Sequence, residues 1–456
     1  MALPPLNDTI AAIATASGSA AVGIVRLSGK NAFGIASHLF KPHNEHNVRT
    51  LQGGRVIYGS VVHEGELIDE ALLLSFRAPK SYTAEDIIEL QSHGGTAVLK
   101  RIQSVCVMLG ARLAKPGEFT LRAYLNGRLD LIQAESVLNI VNAQSDGARR
   151  NAALGLSKAL SDELALIQAD VTSVYGDIQA VFDYPEEGVP EANFEEPLQR
   201  AVKRIDGLLA TAKGGQLVQQ GAKLALIGKP NAGKSSLLNA LLGYGRSIVS
   251  DIPGTTRDYL EAQLSIGDIP ITAIDTAGIR VTDDSIEALG VQAAKDIAAH
   301  ADLSLVLIDA SEAPSEEDLA LLKSLDLERS LIVASKVDLG QVWHKEVLQG
   351  ALPEVETFSV YPVSVTKGTG LKALRQATEA KLLGDAANAE LWLSSERQVE
   401  ALQKTRLLLE QALTAPDDLA ALDLEEALRV LAELTGRGDI AEETLEHIFA
   451  KFCVGK

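Results

Sequence analysis

The stretch that most constrains this chain is Leu224-Ala-Leu-Ile-Gly228-Lys-Pro-Asn231-Ala232-Gly233-Lys234-Ser235-Ser236, an apolar run broken by a glycine-framed loop. The run has the length of a buried strand. Beyond the loop, Leu237, Leu238, Leu241 and Leu242 recur at helical spacing and give a helix with one apolar face. Between strand and helix lies the full G-x-x-x-x-G-K-S pattern of a phosphate-binding loop. Its glycines let successive backbone N–H groups turn inward as an anion nest, and the helix adds its positive end. Lys234 is expected to reach the β- and γ-phosphates, and the Ser235 hydroxyl to hold Mg²⁺. This local pattern predicts a nucleoside triphosphate site in an α/β domain.

Composition sets bounds around that site. At 456 residues, 46% of them hydrophobic, the chain can bury two or three domain cores. No apolar run approaches the roughly 18 residues a membrane span needs. Residues 1–8 lack the basic-then-apolar pattern of a signal peptide. Two cysteines, Cys106 and Cys453, are too few for a disulfide framework or a structural zinc site, so a cytoplasmic protein is expected. A formal net charge of -19 disfavours a broad nucleic-acid surface but leaves room for a local basic patch or a basic partner.

Taken in order, residues 1 to about 120 read as mixed α/β, with strands at 22–27, 71–76 and 87–90, a turn at 92–95 and a helix at 96–109. From Thr120 to about Lys213 the periodicity is helical, interrupted by the acidic, proline-bearing stretch 182–190, read as a helix–helix turn. Buried strands at 270–275, 303–309 and 330–334 alternate with helices, which is the signature of a doubly wound, mostly parallel sheet. Helical periodicity resumes at 395–413 and 424–434. The simplest organisation is an α/β domain at 1–119, a helical domain at 120–220 and 379–456, and a nucleotide domain inserted at 221–378.

Four further elements point to guanine. Ser335-Lys336-Val337-Asp338 resembles the N-K-x-D motif of GTPases, whose Asp accepts from both N1–H and the exocyclic amine, donors that adenine lacks there. Asn is usual where this chain has Ser335. Ser364-Val365-Thr366 stands where S-A-K is usual. Asp251-Ile252-Pro253-Gly254-Thr255-Thr256 after Ser250 matches switch I, with Thr256 completing the Mg²⁺ shell. Asp275-Thr276-Ala277-Gly278 matches D-x-x-G, in which the Asp holds Mg²⁺ through water and the Gly N–H senses the γ-phosphate. Ile279 occupies the place of the water-orienting Gln, so another group must serve hydrolysis.

Over nearly its whole length the chain resembles the MnmE (TrmE) family of tRNA modification GTPases. The carrying motifs are Asp8-Thr9-Ile10, 22–29, Ser81-Tyr-Thr83-Ala-Glu85-Asp86, 89–95, Pro116-Gly-Glu-Phe-Thr120, Asn126-Gly-Arg128-Leu-Asp130 and the terminal Phe452-Cys453-Val454-Gly455-Lys456. The chain departs from the family at 16–20, where a Pro-Pro-Gly-Arg-Gly turn is common, and at Ala84, where Gly is usual. The resemblance implies an N-terminal domain that dimerises and takes a 5-formyltetrahydrofolate-like one-carbon donor, with Arg26, Glu89, Arg128 and Lys456 lining the pocket. It implies a flavin-binding partner, MnmG, joined in a heterotetramer, and a tRNA substrate modified at C5 of the wobble uridine. It implies a K⁺ site from Asn231, Ser250, Ile252 and Thr255 that forms as two G domains meet. It also implies a water-orienting Glu287, and a Cys453 near the modification centre with a candidate catalytic role. The competing expectation is a GTPase switch for ribosome or RNA assembly.

Overall fold

The computed structural model describes residues 7–183, 194–244, 261–275, 295–351 and 358–456. The chain divides into two compact units. One comprises residues 1–138, 155–168 and 424–456; the other comprises 139–154 and 169–423.

The first unit is built on a seven-stranded sheet: β1 (Ile10–Ile13), β2 (Ala20–Ser28), β3 (Phe40–Pro42), β4 (Arg55–His63), β5 (Glu66–Phe76), β6 (Ile87–Gly94) and β7 (Arg112–Leu113). The spatial order is β3-β4-β5-β6-β2-β1-β7, and every pairing is antiparallel except β1 with β7. The helix Thr96–Met108 covers it with Leu99, Ile102, Val105 and Cys106, spaced to keep one face buried. Cys106 is core, as its setting in an apolar helix implies, and burial pushes its thiol up to about 12. The readings of β5 and β6 needed extension, and no strand reading covers β1, β3, β4 or β7. β5 begins at Glu66, five residues before the apolar run; β6 continues through Ser92, His93 and Gly94, which read as a turn; and β4 is a strand the alternation did not announce. The mixed polar pattern of β4 and early β5 is that of a hairpin with one face uncovered.

The second unit holds a six-stranded sheet: β8 (Ala222–Ile227), β9 (Glu261–Ile266), β10 (Ile269–Asp275), β11 (Leu303–Asp309), β12 (Ser330–Ser335) and β13 (Val360–Pro362). Its order is β13-β12-β11-β8-β10-β9, with every pair parallel except β9–β10. Successive side chains of one strand enter different cores. Leu224, Leu305 and Val333 join Leu237 and Leu241 on one face, while Ala225, Val306 and Ile332 join Leu322 and Trp343 on the other. That is why these strands read as unbroken apolar runs and not as alternation. The turn between β9 and β10 is gripped by two helices. Arg150, in the helix Asp146–Leu156, pairs with Asp268 at 2.6 Å, and Glu379, in the helix Leu371–Leu383, accepts from the Asp268 N–H at 3.1 Å. The helix at 396–412 matches its sequence period closely, while the one at 417–435 begins seven residues before the periodicity read at 424–434. The turn read at 182–190 lies largely outside the described residues.

Candidate functional site: the phosphate loop and the base-reading loops

The phosphate loop leaves β8 at Gly228, whose φ of 150° brings it so close to Leu307 that a Cβ there would lie 2.5 Å from the Leu307 carbonyl oxygen. A side chain here would therefore push the loop off the sheet. Asn231 (φ 63°) and Gly233 (φ 97°) both take the left-handed conformation, which turns neighbouring N–H groups to the same side. The helix Lys234–Tyr244 starts at once, with the Leu237 N–H donating to the Gly233 carbonyl at 2.9 Å. Lys234 is buried and lies across the loop, its ammonium donating to the carbonyls of Gly228 (2.6 Å) and Lys229 (2.8 Å). Asn231, Ser235 and Ser236 are exposed, and Ala232 is buried. This arrangement offers backbone donors, one ammonium and one hydroxyl to a polyphosphate.

Lys229 anchors the loop from behind. It pairs with Asp318 at 2.9 Å and Glu317 at 3.4 Å, in the first turn of the helix Glu316–Ser324, which Ser315 and Asp318 close with a capping box. Burial opposes its charge, yet those carboxylates hold its pKa above the ordinary lysine value.

The base-reading loops come to the same end of the sheet. Ser335, the last residue of β12, is buried and donates to the Ala232 carbonyl of the phosphate loop at 2.8 Å. Lys336 is left-handed (φ 58°) and pairs with Asp309 at the end of β11, at 2.7 Å. Asp338 accepts from the Thr366 hydroxyl at 2.8 Å, and Ser364 lies 3.0 Å from Thr366. Hydrogen bonds from Ser364 and Thr366 hold the Asp338 carboxyl below its ordinary range, so it stays an acceptor at any physiological pH. Val365 follows in the same loop, half-buried. Asp275 ends β10, in register with Leu226 of the strand that feeds the phosphate loop. Ser250, Asp251, Ile252, Pro253, Gly254, Thr255, Thr256, Thr276, Ala277, Gly278 and Glu287 lie outside the described residues.

A second constellation lies in the first unit. Arg26 of β2 sits opposite Glu89 of β6 and pairs with it at 2.7 Å, while its other arm donates to the Gly455 carbonyl at 3.3 Å. Its guanidinium lies 5.6 Å from the Phe119 ring centre and 5.9 Å from that of Tyr82, and Arg128 stands 5.0 Å from the Tyr82 ring on its own account. The terminal segment is bound here by its backbone. Val454 bridges to Pro116, the Gly117 N–H reaches the Cys453 carbonyl at 3.4 Å, and Lys456 folds back to Cys453 at 3.3 Å. Three of the four anticipated residues thus gather around Tyr82 and the carboxy-terminal turn, and Lys456 ends that turn. Cys453 is exposed.

Sequence reasoning passed over what lies next to this pocket. Arg122, with a side chain of 0% exposure, reaches Asp8 (2.5 Å), Glu118 (3.1 Å) and Glu85 (3.2 Å). Arg112 closes the network on Asp8 (2.6 Å) and Glu118 (2.5 Å). Burial pushes Asp8 and Glu118 up, but hydrogen bonds and charge from the two arginines outweigh it and leave both carboxyls below their ordinary values. The one available signal was five charged residues inside or beside the motifs at 8–10, 81–86 and 116–120.

Two family descriptions match the chain: GTP-binding protein TrmE N-terminus over residues 9–128, and MnmE helical domain over residues 131–453. The tRNA modification GTPase MnmE of a Thermus thermophilus strain is 48% identical over 453 residues, covering 99% of this chain and 100% of that one. The proteins of the same name from Desulforamulus reducens and Clostridioides difficile are each 37% identical, over 99% of this chain and 100% of theirs. With the phosphate loop, the base-reading loops and both matched segments in chain order, the chain belongs to the MnmE family of tRNA modification GTPases.

Proposed function

We propose that this chain hydrolyses GTP while its N-terminal unit handles a one-carbon donor, together installing an aminomethyl-type group, such as carboxymethylaminomethyl, at C5 of a tRNA wobble uridine. The observation that carries the proposal is the pairing of a built phosphate loop with a separate cluster of two arginines, a carboxylate and aromatic rings around Arg26, Glu89 and Arg128 in the same chain. Guanidinium groups suit the glutamyl carboxylates of a formyltetrahydrofolate, and Glu89 suits its pterin N–H groups. Aromatic walls at Tyr82 and Phe119 suit a flat heterocycle.

The partners follow from the same reading. A flavin-binding protein of the MnmG kind supplies the redox chemistry, forming a heterotetramer with a homodimer of this chain. Val56, Tyr58 and Leu72 crowd one exposed face of β4 and β5, an apolar surface of the type a second copy covers. Oxygen donors suit hard cations: the Ser235 hydroxyl with Thr256 and Asp275 for Mg²⁺, and Asn231 with Ser250, Ile252 and Thr255 for K⁺. K⁺ supplies charge stabilisation that an arginine finger provides in other GTPases. Glu287 orients the water in place of the absent Gln, and among the described residues no helix is long and apolar enough to cross a membrane.

Two measurements test this. GTP turnover in matched KCl and NaCl should be faster in KCl, and Asn231→Lys should abolish the difference while sparing nucleotide binding; equal wild-type rates in the two salts would remove the cation from the reaction. Calorimetric titration with 5-formyltetrahydrofolate should show binding that Arg26→Ala weakens by roughly 1.5–3 kcal/mol, the worth of a charged hydrogen bond. Wild-type protein that binds no folate would end the one-carbon reading and leave the GTPase.

A further inference from the structure

The base-reading loops of this chain differ from the usual motif at two positions, and the structure gives both differences a chemical content. A carboxamide at the first position carries two N–H donors, so it can tie the loop to the phosphate loop and still have one to offer a ligand. Ser335 has one hydrogen. It is buried at 7% exposure, and that hydrogen is directed at the Ala232 carbonyl, 2.8 Å away, with the Ile308 carbonyl next nearest at 3.3 Å. The tie between the two loops is kept and no donor remains. Lys336, the next residue, is engaged with Asp309 at 2.7 Å.

At the other departure, Thr366 takes the place usually held by Lys, and its hydroxyl donates to Asp338 Oδ2 at 2.8 Å. Ser364 lies 3.0 Å from Thr366, and its own hydroxyl serves the same Asp338 carboxylate. Ser364, 1% exposed, in turn accepts the Lys367 N–H at 3.1 Å. The result is a carboxylate held by two hydroxyls, those of Ser364 and Thr366, with Ser364 itself fixed by the Lys367 N–H. Two donors converging on one carboxylate orient it and strengthen each other in the network.

We propose that this chain reads guanine by carboxylate acceptance without a side-chain donor to N7. Asp338, aligned by Thr366, takes the two N–H donors of the base's Watson–Crick edge, while the N7 acceptor meets no side-chain donor from Ser335, Lys336 or Thr366. Thr366 is a positioning residue for that recognition and Ser335 a specificity-determining one. The inference rests on Asp338 being the base-reading residue, and its test separates the two.

The test is affinity of the full-length protein in Mg²⁺ buffer, by competition against a fluorescent GDP analogue. Three triphosphates serve as probes: GTP, inosine triphosphate lacking the 2-amino group, and 7-deazaguanosine triphosphate lacking N7. Inosine triphosphate should bind weaker than GTP by on the order of 10- to 100-fold, the loss of one hydrogen bond to a charged acceptor. The 7-deaza compound should bind within about twofold of GTP, since no such bond is lost. Thr366→Val should lower GTP affinity and shrink the GTP-to-inosine ratio, and Thr366→Ser should restore both, which a merely structural role would not do. Ser335→Asn should acquire a penalty of several-fold against the 7-deaza compound that the wild type lacks. Wild-type protein binding 7-deazaguanosine triphosphate tenfold or more weaker than GTP would overturn the inference. Asp338→Asn should shift preference toward xanthosine triphosphate; if it does not, the base-reading assignment itself is wrong, whatever the 7-deaza result.

Discussion

Arg122→Met should destabilise the N-terminal unit by roughly 3–5 kcal/mol, the cost of stripping one partner from a buried ion network. Methionine fills much of the volume, so the loss reports charge and not a cavity. What remains is three carboxylates, Asp8, Glu85 and Glu118, with Arg112 as their one remaining guanidinium in this network. Glu118, with a side chain of 0% exposure, keeps Arg112 and the Lys115 N–H, whereas Glu85 loses its guanidinium partner in this network. The expected readout is a fall in melting temperature on the order of 10 °C for that unit, with hydrogen exchange accelerated in β1 and in the helix Glu118–Leu125. A change below about 1 kcal/mol would mean that the network costs as much to desolvate as it returns.

The same network sets an acid limit, and the sign is fixed by the direction of the shifts. Asp8 and Glu118 have folded values below their unfolded values of 3.8 and 4.5. Their contribution is therefore fully present above the unfolded values and is lost as pH falls through the lower folded ones. Acid unfolding of the N-terminal unit should begin below about pH 4.5, and Glu118→Gln should flatten that dependence while lowering stability at neutral pH. Circular dichroism against pH on both proteins reads this directly. An unchanged acid midpoint in Glu118→Gln would assign the transition to other carboxylates.

This network also marks where sequence reading reached its limit. Glu118 and Arg122 are spaced four apart in one helix, the pattern of an ordinary solvated pair, and periodicity gives no hint that Arg122 has a further partner, Asp8, 114 residues upstream. The nucleotide unit was legible because both faces of its sheet are covered. Its strands are continuous apolar runs such as 303–309, which the structure reproduces at the same residues. The N-terminal sheet was less legible because β4 and β5 leave Val56, Tyr58 and Leu72 on an uncovered face, so polar and apolar residues mix along both strands. The phosphate loop could be named from spacing alone since backbone, and not side-chain packing, does the binding. What Ser335 does could not be named, because a single hydroxyl proton goes wherever the nearest carbonyl sits, and that carbonyl, Ala232, is 103 residues away in sequence.

Lys234→Ala should nearly abolish GTP hydrolysis, with a loss of turnover on the order of 100- to 1,000-fold, the usual cost of removing one preorganised stabiliser of developing charge. The structure gives this residue two tasks. Its ammonium is held over the phosphate loop by the carbonyls of Gly228 and Lys229, so it closes the loop as well as presenting charge. These tasks separate in the measurement. If charge at the phosphates dominates, nucleotide affinity should fall only modestly while turnover collapses, because the developing charge of the transition state depends on the ammonium more than the ground state does. If loop closure dominates, affinity and turnover should fall together, since the left-handed Asn231 and Gly233 would no longer hold their N–H groups in one nest. Lys229→Ala is the control. Its ammonium faces Asp318 and Glu317 behind the loop, so it should slacken the loop without removing charge from the phosphate side. A Lys229→Ala protein with turnover as low as Lys234→Ala would show that stiffness of the loop, and not the position of the Lys234 charge, limits the reaction.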